Sequence, residues 1–405
     1  MNWEILKIKD LGKIITGKTP CTNNRSFFDG EFQFVTPTDI TFDNYYCRKT
    51  ETTVTEAAKQ KHRNQFIPPD SIMVTCIGST IGKCALSSKE CLTNQQINSI
   101  VPFDIYNPKY VYYLMIFNIE IIRGIGLSGG VAAPIINKAA FERIKIKLPS
   151  KESRDKIATI LSAYDDLIDI NRRRIRLLEE AARLLFREWF VYFRFPGHEK
   201  IKIVDGMPEG WEKGSVKDIA KVKSGYAFDS KDWLDEGNPV IKIGNIIGDG
   251  TVNLDDCSYI DQNVASKAKD FVLKKGDLLI AMTGATVGKV GLLSENEKIA
   301  YLNQRVGKFI PQFEGAELIL YCFFMSDTAQ NHITNYAGGA AQANISASQI
   351  KSIKIVVAPQ DIYNQFIGLI KSTFEQILNL RNQNKKLAQA RDLLLPRLMS
   401  GKIEV

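Results

Sequence analysis

The second half of the chain restates the first at an offset of about 206 to 210 residues, a repeat that has to be read before any motif is considered. Each copy opens at a tryptophan. Trp3-Glu4 leads through Lys9-Asp10-Leu11-Gly12 to Thr16-Gly17-Lys18-Thr19-Pro20; Trp211-Glu212 leads through Lys217-Asp218-Ile219-Ala220 to Ser224-Gly225-Tyr226. Phe34-Val35-Thr36-Pro37-Thr38-Asp39-Ile40 then answers to Val240-Ile241-Lys242-Ile243-Gly244-Asn245-Ile246. In the strongest block, Asp70 to Lys83 (DSIMVTCIGSTIGK) answers to Asp277 to Lys289 (DLLIAMTGATVGK), a short apolar strand running into a glycine-bounded turn. Asn94-Gln95-Gln96 and Asn303-Gln304-Arg305 follow, then the small-residue stretches Ser128 to Ala132 and Ala337 to Ala341. Both copies close on a strand before a proline, Pro149 or Pro359.

Beyond each proline the apolar period becomes helical. Ile157, Tyr164, Asn171, Leu178 and Leu185 recur every seventh residue, with Leu161, Ile168, Ile175 and Ala182 as the second row of a coiled-coil seam. The C-terminal copy places Ile370, Ile377 and Asn384 on one row and Leu380, Leu387 and Leu394 on another, with Asp361 as the expected N-cap. Asn171 and Asn384 thus fall on seam positions, where asparagine fixes register at a cost in stability. The first helix is expected from about Ser150 to Phe193, roughly 60 Å long, with Pro196-Gly197 as its stop.

The expected fold is α+β: two repeated globular domains, each followed by a long helix, with the helices pairing as an antiparallel coiled-coil spacer. The expected divisions are residues 1–149, a helix over 150–195, a linker over 196–209, a second domain over 210–359, and a second helix with its tail over 360–405. At 405 residues, 44% of them hydrophobic and 24% charged, the chain has material for two or three ordinary cores. A net charge of +8 favours a polyanionic partner without identifying it. The seven cysteines are odd in number, scattered and free of CxxC pairs, which fits reduced thiols rather than a disulfide frame or zinc site. A charged N-terminus and the lack of a long apolar run give a cytoplasmic expectation with no membrane span.

Gly12 to Thr19 (GKIITGKT) matches the P-loop pattern, which would make the chain an ATPase or nuclease. The reading fails on context: a P-loop needs a strand before it and a helix directly after it, whereas Pro20, Asn23, Asn24 and Arg25 follow. Gly78 to Lys83 and Gly284 to Lys289 are GxxxGK, one residue short and without the hydroxyl after the lysine. His62, His198 and His332 are far apart and lack metal-ligand spacing. No catalytic residues and no metal ligands are expected.

Taken in order, Gly17-Lys18-Thr19-Pro20, Thr36-Pro37-Thr38-Asp39-Ile40, the paired GxxxGK turns, Asn94-Gln95, the helix after Leu148-Pro149, and Leu394-Leu395-Pro396-Arg397-Leu398-Met399-Ser400-Gly401-Lys402-Ile403 resemble the specificity subunit of type I restriction–modification enzymes over essentially the whole chain. The resemblance implies two target-recognition domains, each reading half of a bipartite site in double-stranded DNA. It also implies helices that set the gap and dock two methyltransferase subunits, and a helicase-nuclease subunit joining for restriction. S-adenosylmethionine, ATP and magnesium would then sit on those partners and none on this chain. The residues expected at DNA are Lys18, Thr19, Thr36, Thr38, Ser79, Lys83, Asn94, Gln95 and Gln96 in the first copy. In the second they are Tyr226, Lys242, Asn245, Thr286, Lys289, Asn303, Gln304 and Arg305. Features shared by both copies, such as Lys83 and Lys289, cannot tell two half-sites apart and suit phosphate, partner or fold. The stretches that differ, Phe42 to Phe66 and Ile247 to Phe271, are candidates for base readout. A scaffold that joins proteins through its helices without touching DNA is the competing interpretation.

Overall fold

The computed structural model describes residues 3–41, 45–127, 135–254, 256–294, 298–337 and 343–405. The small-residue stretches of the repeat, 128–132 and 338–341, lie outside them. The chain divides into two compact units, one of residues 1–170 and 385–405, the other of residues 171–384. Each unit therefore takes one globular domain and about half of each long helix, rather than one domain and one helix.

The repeat is a duplication strand by strand. In the first unit a five-stranded sheet runs in the order Gly12–Thr16, Ile97–Pro102, Ile72–Thr75, Cys84–Ser87, Tyr46–Cys47. In the second the order is Ala220–Ser224, Val306–Pro311, Leu278–Ala281, Val290–Leu292, Gly250–Thr251. A four-stranded sheet accompanies each: Thr52–Val54, Phe28–Val35, Cys91–Thr93, Phe66–Ile67 in one and Ser258–Ile260, Asn238–Ile241, Ala300–Leu302, Val272–Leu273 in the other. The first and last strands of each copy pair antiparallel, Glu4–Lys7 with Lys145–Leu148 and Glu212–Ser215 with Lys354–Val357, which closes each domain at the proline.

Strand alternation explains why the five-stranded sheets are apolar on both faces. Ile72 and Val74 join the core shared with the helix Pro108–Phe117, while Met73, one residue out of phase, joins the cluster of Val35, Ile67 and Ile97. Leu278 and Ile280 against Leu279 and Ala281 repeat the pattern.

The long helices are Lys151–Phe190 and Gln360–Met399, 40 residues each. The first ends six residues before Pro196: the backbone turns left-handed at Phe193 (φ 58°) and again at Gly197 (φ 87°), so the proline follows the stop rather than making it. The second begins at Gln360, which puts Asp361 inside the first turn, where its charge meets the positive end of the helix dipole, and not at the N-cap. The seam rows are buried or half-buried throughout: Ile157, Leu161, Ile168, Asn171, Ile175 and Ala182 on one helix, Ile370, Ile377 and Leu380 on the other. In the second unit the helices run antiparallel, since Asn171 meets Asn384 while Trp189 meets Phe366 and Phe190 meets Tyr363. In the first unit Arg391 meets Asp165, and Leu395, Leu398 and Met399 enter the core that holds Ile157 and Leu161.

Two triads tie the domains to these helices. Tyr113 Oη donates to Asp165 Oδ2 at 2.5 Å, and Arg391 donates to the other carboxylate oxygen. Tyr321 Oη donates to Glu179 Oε1 at 2.9 Å, and Arg381 donates to the same oxygen at 2.6 Å. The first domain adds Arg48, bidentate on Asp169 at 3.0 and 2.7 Å, and Lys109 on Asp166 at 2.8 Å.

Candidate nucleic-acid interface

Antiparallel neighbours place the end of Gly12–Thr16, the start of Ile97–Pro102, the end of Ile72–Thr75 and the start of Cys84–Ser87 at one edge of the first five-stranded sheet. The loops at that edge are Gly17-Lys18-Thr19, Asn94-Gln95-Gln96 and Cys76 to Lys83. The loop from Thr36 joins them, because the Asn94 N–H donates to the Val35 carbonyl at 3.0 Å. All nine expected residues of the first copy thus converge on one end of the domain. The second domain gathers its eight in the same way, with the Asn303 N–H donating to the Ile241 carbonyl at 3.2 Å.

The frame beneath these side chains is shared. Gly17 and Gly225 sit so close to the neighbouring strand that an added Cβ would come within 2.2 Å of the Asn94 or Leu302 carbonyl oxygen, so only glycine fits. The next residue donates its N–H across: Lys18 to Thr93 O and Tyr226 to Leu302 O, both at 2.8 Å. Each Asn-x-x turn is stapled by its own asparagine, whose Oδ1 accepts from Gln96 N at 3.0 Å in one copy and from Arg305 N at 3.2 Å in the other. The stapled residue in turn accepts from the strand alongside, Cys76 N donating to Gln96 O at 2.8 Å and Met282 N to Arg305 O at 3.0 Å. The GxxxGK turns match too, with Gly78, Gly82, Gly284 and Gly288 all left-handed at φ 68° to 88°.

This geometry disposes of the P-loop reading. Gly12–Thr16 is itself a strand, a turn rather than a helix follows Pro20, and the Gly17 and Lys18 N–H groups are engaged by Ile97 O and Thr93 O, leaving no backbone cradle for a phosphate.

The expected residues separate by what their side chains do. Lys18, Thr38, Ser79, Gln95, Gln304 and Arg305 are exposed. Gln95 Oε1 accepts from Thr19 Oγ1 at 2.6 Å. Thr36, Thr19, Lys83, Asn94, Gln96, Tyr226, Lys242, Thr286 and Lys289 are half-buried. Thr36 donates to Asp39 Oδ2 at 2.7 Å, Thr286 to Ile243 O at 3.2 Å, and Lys289 lays its stem along Gly248 with its ammonium 3.4 Å from Ile247 O. Lys242 sits over the Trp233 ring at 3.5 Å and donates to Ser258 Oγ at 2.6 Å; burial pulls its pKa below the ordinary lysine value.

Asn245 and Asn303 correct the sequence reading. Asn245 is 3% exposed and its amide nitrogen donates to Asn253 O and Asp256 O, so it anchors its loop from inside and presents nothing to a base. Asn303, 8% exposed, is the buried staple of its turn. Polar residues in a turn satisfy their own backbone as readily as a ligand, a distinction composition does not carry. The sequence reading also missed Trp233, which closes the same short turn that Phe28 closes in the first copy, and the two tyrosines of the triads.

The two units are thus copies of one domain, each with a polar loop edge on a common frame and unlike side chains at matching positions. A family model for the type I restriction modification DNA specificity domain matches residues 1–180 and again 208–389. The chain belongs to that family and is a type I specificity subunit by relationship along its whole length. It is 26% identical to the MjaIX specificity subunit of Methanocaldococcus jannaschii across all of this chain and 94% of that protein. It is 25% identical to the HindI specificity subunit of Haemophilus influenzae across 73% of this chain and 77% of that one. The fold matches the crystal structure of the type I S subunit from M. genitalium with a TM-score of 0.58 at 16% identity, covering 98% of this chain and 96% of that one. No helix among the described residues is long and apolar enough to cross a membrane.

Proposed function

We propose that the two domains each read one half of a split site in duplex DNA, and that the chain breaks no bond itself. The observation that carries this reading is the pair of loop edges: largely shared backbone bonding, with Lys18 exchanged for Tyr226 and Gln96 for Arg305. A shared frame with altered heads is what two readers of different sequences need. Phosphate contact falls to the lysines common to both copies, Lys83 and Lys289.

The helices act as the spacer. Forty residues amount to about 60 Å, the rise of about 18 base pairs, an upper limit on the gap between half-site centres. Linking two weak readers makes the second binding event intramolecular, and the spacer then decides which gap is accepted. The first helix also supplies a docking stripe: Leu177 and Leu184, seven residues apart and 67 and 44% exposed, with Val191, 48% exposed, just past the helix end, lie outside the buried seam. We assign this stripe to two methyltransferase subunits' helices as the docking chemistry, with a helicase-nuclease subunit joining in the cytoplasmic complex. S-adenosylmethionine, ATP and magnesium belong to those partners.

The test is a genome-wide map of N6-methyladenine with the gene present and deleted. Loss of a split motif with a fixed gap on deletion is the expected result; an unchanged map, with the methyltransferase expressed, would overturn the reading.

A further inference from the structure

Gln96 and Arg305 occupy one position in two copies of one turn. The backbone N–H of each is held by the Oδ1 of the asparagine two residues before, and the carbonyl of each is held by the adjacent strand. Both side chains therefore leave from the same place on the same frame, beside residues that also differ, Lys18 and Tyr226. Arg305 is exposed, and its guanidinium makes no hydrogen bond or ion pair with another described residue. A solvated arginine fixed at its backbone and free at its head, on an edge of this kind, is not a fold contact. Gln96 is half-buried, with Oε1 taking a 3.3 Å bond from Asn94 Nδ2, which leaves its second lone pair and its whole NH2 group available.

We infer that this turn position is a specificity switch: Arg305 selects a guanine in the half-site read by the second domain, and Gln96 selects an adenine at the equivalent place in the half-site read by the first. The chemistry follows from the groove edges. A guanidinium fork matches the two acceptors of guanine, O6 and N7, while a carboxamide matches the acceptor and donor of adenine, N7 and N6. The inference rests on the two-reader function proposed above and assigns it a base at one position in each half.

The experiment places wild-type, Arg305→Gln and Gln96→Arg chains, each with the partner methyltransferase, in a host lacking the gene, and maps N6-methyladenine. The wild-type arm tests the two-reader function alone: without a split motif, that function and this inference both fall. Given a motif, Arg305→Gln should reduce methylation of the wild-type sequence about tenfold or more and move one guanine of one half toward adenine, leaving the other half and the gap unchanged. Gln96→Arg should move one adenine of the other half toward guanine. An unchanged motif in both variants would overturn the inference while the two-reader function stands. So would uniform loss of methylation at all sequences with the partner still co-purifying, since that is the behaviour of a phosphate contact. If Arg305→Gln does not co-purify with the partner, Gln96→Arg decides alone by the same criteria.

Discussion

Asn171 donates its side-chain amide to Asn384 Oδ1 at 3.0 Å, joining the two long helices at a point where Asn171 is 1% exposed. Isoleucines flank the pair on both rows, at Ile168, Ile175 and Ile377, so any slip of one helix along the other would bury each amide against hydrocarbon. Replacing one partner, as in Asn384→Leu, should cost about 1–3 kcal/mol, because it strands a buried donor. Replacing both should recover most of that loss, since leucine suits the seam, while loosening register. Denaturant titration of the two single variants and the double gives the coupling energy. A loss in the double variant equal to the sum of the two single losses would show that the amides do not act as a pair. If the seam sets the gap, the double variant should also blur the spacing of the methylated motif.

The triads predict a sharper asymmetry. Asp165 and Arg391 have side chains 3 and 15% exposed, with Tyr113 donating to the same carboxylate. Arg391→Met leaves a carboxylate without its counter-charge in a dry site and should cost roughly 3–5 kcal/mol, whereas Asp165→Leu with Arg391→Met should fall short of the parent only by the cost of the stranded Tyr113 hydroxyl, about 1–3 kcal/mol. Tyr113→Phe removes one charge-assisted bond, about 1.5–3 kcal/mol. The measurement is a double-mutant cycle in urea; additive losses would mean that the two charges are not coupled.

The duplication and the seam were legible in the sequence because each is a periodic or repeated pattern of residue types, which burial imposes directly. The strand before Pro149 and the one before Pro359 both pair back to the opening tryptophan's strand, as a closed repeat requires. What escaped were relations that depend on which way a polar group faces. Asp165 and Glu179 look like ordinary surface charges of an amphipathic helix, yet each lies four residues beyond a buried seam position, Leu161 or Ile175, and turns inward to a domain tyrosine. Tyr113 and Tyr321 stand at matching places in the repeat, the one signal that could have exposed both triads. Asn245 resembles Thr38 and Gln95 in composition, and only its two carbonyl partners reveal it as an inward anchor.

His62 provides a pH test of the first domain. The ring is 6% exposed against Phe27, and burial, reinforced by the charges of Lys18 and Lys61, holds its pKa below the usual histidine value. The unfolded chain then takes up a proton near pH 6.5 before the folded one does. The native state binds fewer protons in that window, so stability is full above it and falls as pH drops through it toward the folded value. Chemical denaturation midpoints measured from pH 7.5 down to 5 should decline in the parent and decline less in His62→Gln. Equal slopes would place the titration elsewhere.

Docking on the first long helix makes a prediction separable from folding. Leu177 is 67% exposed, whereas Ile175 and Leu178 on either side face the seam, so a charge at 177 meets only water in the isolated chain. Leu177→Glu should leave the thermal midpoint within experimental error of the parent, as exposed substitutions away from caps and cores generally do. In the assembled complex the same carboxylate would be driven between apolar side chains of the partner helix. An anchor leucine at the centre of an interface carries about 2 kcal/mol or more, so affinity for the methyltransferase should fall roughly 30-fold. Titration of labelled partner against parent and variant reads this directly. Full retention of the partner by a folded Leu177→Glu chain would take docking off this stripe and move it to another face of the helices.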